Sequence, residues 1–179
     1  MVKTPTAYWD SCVWLGYINQ EADKIAAVSY GLDSARAGKL QIVTSTFTLA
    51  EVVSRKCNGV NTGAPEDEDD AFAEMLNQDF LTVVEVDWAV GELARTLYRK
   101  FRGDGLKKPQ DAVHLATAIL ENVDAMHTFD GDDLLTLDGK VLRDDGTPLS
   151  IIKPPEPPPP PPPPPPPEPN LFNYQDTIQ

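Results

Sequence analysis

Four acidic residues, Asp10, Glu51, Asp111 and Asp130, lie up to 120 positions apart in the 179-residue chain. Asp10 and Asp130 fall just past expected strands, Glu51 lies one turn into a helix and Asp111 in the first turn of another, so all four can converge at one edge of a sheet. Four carboxylates gathered in one place repel strongly unless a cation neutralises them. An all-oxygen site of this kind suits Mg2+ or Mn2+, with waters completing the octahedron. Such an ion, alone or as one of a pair, can activate water and offset charge building on a phosphate. That chemistry needs no protein nucleophile, and none stands out. Cys12 and Cys57 are far apart, with neither a metal-ligand spacing nor a disulfide framework, which suits a reducing compartment.

Each acid also has a plainer reading. Asp10 suits a helix N-cap, and Asp111 complements the dipole of a helix first turn. Glu51 stands in the apolar stretch Leu49-Ala-Glu-Val-Val53, where an unpartnered carboxylate is costly, so a functional role is the better reading. Asp130, Asp132 and Asp133 cannot all touch one ion directly. Asp130 ends a strand and is the direct ligand, while Asp132 or Asp133 acts through water. His114, three residues after Asp111, shares roughly its side of a helix and reads as a hydrogen-bonded core histidine supporting the site. Thr128 offers a hydroxyl to orient a ligand or water. Lys107 and Lys108 precede Asp111 on a loop and either hold phosphates or form a solvated face. Arg95, Arg99 and Arg102 read as a solvated helix face, and Trp9 and Trp14 as core or dimer contacts.

Alternating short apolar runs and helical patterns must carry these residues. Strands are expected at Pro5–Asp10, Gln41–Ser45, Phe80–Val86, Ala125–Phe129 and Leu149–Ile152. Helices are expected after Asp10, over 21–38, from Thr46 or Thr48 through Val52 and Val53, from Trp88 to Phe101, and from Pro109 to Glu121. Asn58–Pro65 should break the third of these, and the acidic run Glu66–Asp70 should open another helix as its solvated start. Strands alternating with helices imply a parallel sheet covered on both faces, with ligands outside the strands' carboxyl ends.

Composition narrows the class. Apolar residues make up 41%, a globular value. The balance of 15 basic and 28 acidic residues, net −13, argues against a broad basic face for duplex nucleic acid. It is compatible with a metal-binding acidic site. No apolar run approaches a membrane span, and Met1–Tyr8 lacks the features of a secretory signal, so the expected address is cytoplasmic with no membrane partner. The domain is expected to cover 1–153. Residues 154–179 form a proline-rich tail, with eleven consecutive prolines at 157–167. Such a run lacks amide donors and has fixed φ, so it forms an extended polyproline II rod. At about 3.1 Å per residue it spans roughly 34 Å.

Four segments, in order, carry a family likeness. Tyr8-Trp-Asp10-Ser-Cys-Val-Trp-Leu is similar to the opening acid motif of PIN domains, and Thr48-Leu-Ala-Glu51-Val-Val to their second. Asp111-Ala-Val-His-Leu-Ala-Thr-Ala118 is similar to the third, and Thr128-Phe-Asp130-Gly-Asp-Asp-Leu134 resembles the fourth. The chain most resembles VapC-type toxins, PIN ribonucleases encoded beside an antitoxin. The resemblance implies a PIN-like three-layer α/β/α sandwich around a mainly parallel sheet of four to five strands. It implies Mg2+- or Mn2+-dependent cleavage of RNA through Asp10, Glu51, Asp111 and Asp130, a homodimer, and an antitoxin partner. The acidic insertion around 59–70 and the proline tail have no counterpart in the small-toxin pattern. The rival reading is a catalytically silent PIN scaffold that binds RNA or protein, with the tail docking in a polyproline-recognising groove. A phosphoacceptor receiver domain would need adjacent acids after the first strand, and Asp10 stands alone there.

Overall fold

A computed structural model describes residues 3–52, 54–57, 60–63 and 72–164. Five parallel strands form the central sheet: β1 (Thr6–Trp9), β2 (Gln41–Ser45), β5 (Leu81–Val84), β6 (Ala125–His127) and β7 (Ser150–Ile152). Their spatial order is β5-β2-β1-β6-β7. The first strand therefore sits at the centre, with Tyr8 opposite Val43 on one side and Met126 on the other. The helices are α1 (Ser11–Ile18), α2 (Ile25–Arg36), α3 (Thr46–Glu51), α4 (Trp88–Phe101) and α5 (Pro109–Leu120).

Strand alternation sorts the core into two halves. Ala7, Trp9 and Ile42 face one side and pack with Val13 and Trp14 of α1 and Val28, Leu32 and Ala35 of α2. Tyr8, Val43, Met126 and Ile151 face the other and pack with Val90, Ala94, Leu97 and Phe101 of α4 and Leu115 and Ile119 of α5. The result is the expected three-layer α/β/α sandwich. Helix starts follow local chemistry. Asp87 accepts from the Val90 amide at 3.0 Å to cap α4, and Pro109 opens α5 where no amide donor is needed. Arg95, Arg99 and Arg102 are exposed, as a solvated face requires.

Trp9 is fully buried, its ring 5.0 Å from that of Trp14, and its indole N–H donates to His127 Nδ1 at 3.0 Å. Helix α2 can lie over this ring because position 31 is glycine. A β-carbon there would fall 2.6 Å from Trp9 Cζ2. The ring is held on two sides, so Gly31→Ala should destabilise the protein by about 1–3 kcal/mol through overpacking. A denaturant midpoint equal to the parent's would show that α2 can shift outward.

Three expectations need correction. Helix α3 stops at Glu51; Val52 has left helical geometry at φ −91, ψ 58, and the helix does not continue through it. Ser45 occupies the N-cap, ahead of Thr46 and Thr48, and makes no side-chain cap bond. Beyond it the chain forms an antiparallel pair, β3 (Ser54–Cys57) with β4 (Val60–Gly63), where a broken helix was expected. The expected helix start at Glu66–Asp70 lies outside the described residues. Pro154 is buried and 155–164 are exposed. Among the described residues, no helix is long and apolar enough to cross a membrane.

Candidate active site

The acids collect at the carboxyl ends of the central strands. Asp10 follows β1 directly and is 3% exposed. Its Oδ1 caps α1 by accepting from the Val13 amide at 3.2 Å and also accepts from the Cys12 thiol at 2.9 Å. Burial raises its carboxyl above the ordinary value, against the opposing charge of His114 and hydrogen bonds from Cys12 and Thr128. One carboxylate oxygen thus serves both the cap and the Cys12 thiol.

Asp130 follows β6, and its Oδ1 accepts from the amides of Asp132 at 3.1 Å and Asp133 at 3.0 Å. Thr128 Oγ1 accepts from the Asp130 amide at 3.0 Å, so this hydroxyl fixes the start of the turn. The turn leaves Asp132 exposed and carries Asp133 inward, where it is 2% exposed. One oxygen each from Asp111, Asp130 and Asp133 lies within 4.8 Å of the others. Sequence alone left the choice between Asp132 and Asp133 open; the turn puts Asp133 in the cluster.

Lys107 and Lys108 fold onto these acids. Lys107 Nζ is 3.0 Å from Asp133 Oδ1, while Lys108 Nζ is 3.4 Å from Asp130, 3.5 Å from Asp133 and 3.9 Å from Asp111. Burial acts to raise the Asp133 carboxyl, but hydrogen bonds from Lys107 and Asp111 and the lysine charges hold it below the usual value. Asp111 goes the other way. Burial pushes it up, Lys108 pulls it down, Asp130 and Asp133 push again, and its pKa reaches about 7.

Glu51 and Asp10 stand outside that three-acid cluster; the charge of Lys108, which reaches the cluster, also acts on Glu51. Glu51 Oε2 is 2.6 Å from His114 Nε2. Burial alone would raise Glu51, yet the hydrogen bond and charge of His114, with Lys108 further off, bring it below its ordinary value. His114 is 1% exposed, and its Nδ1 lies 2.7 Å from the Tyr8 hydroxyl. Sequence reasoning missed Tyr8, Ser45 and Cys12 as partners of the site. Strand alternation puts Tyr8 on the α5 face of the sheet, and that signal could have paired it with His114.

A divalent cation fits this donor set. Asp111 Oδ2 and Asp133 Oδ2 are buried with no hydrogen-bond partner among the described residues. The Lys108 ammonium, 3.5 Å from Asp133 Oδ2 and 3.9 Å from Asp111 Oδ2, balances part of their charge without a hydrogen bond, and a cation seated among the acids would take its place.

An open five-stranded parallel sheet, sandwiched by helices and bearing acids at its carboxyl ends, is the architecture of a PIN domain. The chain belongs to that family: the PIN-domain model matches residues 7–140. Among solved structures, the sarcin–ricin-loop-cleaving VapC20 toxin of Mycobacterium tuberculosis is similar, at 19% identity and a TM-score of 0.55, covering 70% of this chain and 91% of that one. A toxin–antitoxin complex from Klebsiella pneumoniae is similar at 20% identity and 0.51, covering 72% and 89%. FitAcB from Neisseria gonorrhoeae is similar at 17% identity and 0.53, covering 83% and 97%. At these identities the likeness is one of fold. No curated protein matches the chain by sequence.

Proposed function

We propose that this chain is a divalent-metal-dependent ribonuclease that hydrolyses RNA phosphodiester bonds and acts as the toxin of a toxin–antitoxin pair. The observation that carries the nuclease reading is the cluster of Asp111, Asp130 and Asp133, one oxygen of each within 4.8 Å of the others, with Asp111 Oδ2 and Asp133 Oδ2 buried and making no hydrogen bond among the described residues. Asp111, Asp130 and Asp133 would hold Mg2+ or Mn2+, with Asp10 and Glu51 contributing from the adjoining strand and helix ends. The bound ion would supply an activated water and neutralise charge on the phosphate. Thr128 keeps Asp130 in register through the amide contact. Lys107 and Lys108, 61% and 59% exposed at their side chains, are free to swing from the acids to RNA phosphates once a cation takes their place.

The toxin half of the reading draws on the fold likeness to a loop-cleaving toxin and to toxin–antitoxin complexes. A homodimer, an antitoxin partner and a cytoplasmic site of action go with it. Residues 1–153 then form the nuclease domain and 154–179 a separate proline-rich appendage, open to a polyproline-binding groove on another protein.

Incubating the full chain with single-stranded RNA should give cleavage with Mn2+ and none with excess EDTA. RNA left intact at millimolar Mn2+ sinks the nuclease reading. Expressing the chain in bacteria should arrest growth; normal growth with a protein that cuts RNA in the tube removes only the toxin half.

A further inference from the structure

We infer that His114 is a positioning residue for the metal centre: through a buried Tyr8–His114–Glu51 chain it fixes which way the Glu51 carboxylate points. The inference rests on the metal reading above and assigns to His114 a role that its packing alone does not require.

Glu51 is the last residue of a six-residue helix, and the next residue has already left helical geometry. Backbone at such an end restrains a long side chain weakly. The restraint comes from outside the helix, at Oε2, which lies 2.6 Å from His114 Nε2. With the carboxylate ionised, that nitrogen must carry the proton and donate. One carboxylate oxygen is thereby committed to the imidazole, and a cation would take Oε1, with the Ser11 hydroxyl also acting on this carboxyl.

The imidazole is fixed in turn. It sits in α5, 1% exposed, with Nδ1 2.7 Å from the hydroxyl of the fully buried Tyr8. Tyr8 gives its one hydroxyl proton to Ser45 Oγ at 3.0 Å, so its oxygen accepts from His114 Nδ1–H. Ser45 is the N-cap residue of α3, the helix that ends in Glu51, yet its hydroxyl makes no cap bond. A serine at this position ordinarily accepts from the second or third helical amide. Here its oxygen accepts from Tyr8 instead. The chain of hydrogen bonds therefore runs from the start of α3, through the core strand β1 and helix α5, to the end of α3. A cap has been given up for a network whose far end is a site carboxylate.

A plain core histidine and a positioning histidine differ in what a polar replacement can restore. Gln at 114 keeps a side-chain N–H that can reach Glu51, whereas Leu keeps only volume. Calorimetric titration of the full chain with Mn2+ alone gives the readout without any turnover. His114→Leu should weaken Mn2+ binding by about 10–100-fold, the usual cost of losing a group that orients a metal ligand. His114→Gln should recover most of that loss. Tyr8→Phe, which keeps the ring and removes only the hydroxyl, should weaken binding in the same direction and covers the case in which the Leu variant fails to fold. Mn2+ affinity unchanged in Tyr8→Phe and His114→Leu overturns the inference, as does equal loss in the Gln and Leu variants. A parent chain that takes up no Mn2+ overturns the metal reading and this inference together.

Discussion

Asp111→Asn should yield a protein that is at least as stable as the parent without metal and nearly inactive with it. In the metal-free parent, burial holds the Asp111 carboxyl at about 7. The sign follows from linkage. A folded pKa raised above the unfolded carboxylate value favours folding fully below about pH 4 and loses that contribution as pH rises through 7. At neutral pH the parent therefore carries strain between Asp111 and Asp133. Asn imitates the protonated form and can donate its amide to the orphaned Asp133 Oδ2. The variant should gain about 1 kcal/mol in metal-free melts, the scale at which strained functional sites typically cost stability. With Mn2+ the ranking reverses, because an ion bound only to the native state stabilises the parent and has lost a ligand in the variant. Cleavage should fall by more than about 100-fold, since even groups that merely orient metal ligands cost 10–100-fold. Parental cleavage with an unchanged Mn2+ response would make Asp111 a simple first-turn acid.

The second large effect lies away from the acids. Burial pushes the His127 pKa down to about 4, and its Nδ1 must stay unprotonated to accept from Trp9. The unfolded chain protonates near pH 6.5, and the folded one does not until about 4. Stability present above pH 6.5 is therefore lost as pH falls towards 4. Asp111 and Asp10, with raised values, run in the opposite direction, so the parent's own profile mixes signs. The difference between the parent and His127→Gln cancels those groups. That difference should shrink by about 1 kcal/mol from pH 7 to 5.5 and by about 3 kcal/mol near pH 4, at 1.36 kcal/mol per pKa unit. A flat difference across that range would mean that the folded chain accommodates the charged ring.

All five parallel strands were legible because each is a short β-branched or apolar run. Asp10 and Asp130 could be placed for the same reason: each stands just beyond such a run. The end of α3 was not. Leu49-Ala-Glu-Val-Val53 continues an apolar pattern, while Asn58-Gly59, the pair most favoured in two-residue hairpin turns, reads equally as a helix breaker. Helical spacing suggested that His114 shares a side with Asp111, but its partner Glu51 is 63 positions away and no local rule joins them. The choice of Asp133 over Asp132 depended on two backbone amides converging on one Asp130 oxygen, a feature with no linear signature. Lys107 and Lys108 were weighed as phosphate binders or solvent-facing charges; contact with the acids themselves was a third arrangement.

The central place of β1 also bears on how the protein is made. Strand β1 gains one neighbour from β2, about 35 positions later, but the other only from β6, 118 positions later. Contacts that close so long a loop form slowly and only after the intervening chain exists. During synthesis from the N-terminus the strand bearing Asp10 waits, half-partnered, until β6 has left the ribosome. Asp130 and Asp133 arrive with that same stretch of chain. A nascent chain is thus without Asp130 and Asp133, and so without the acid cluster, until β6 and the turn after it have emerged.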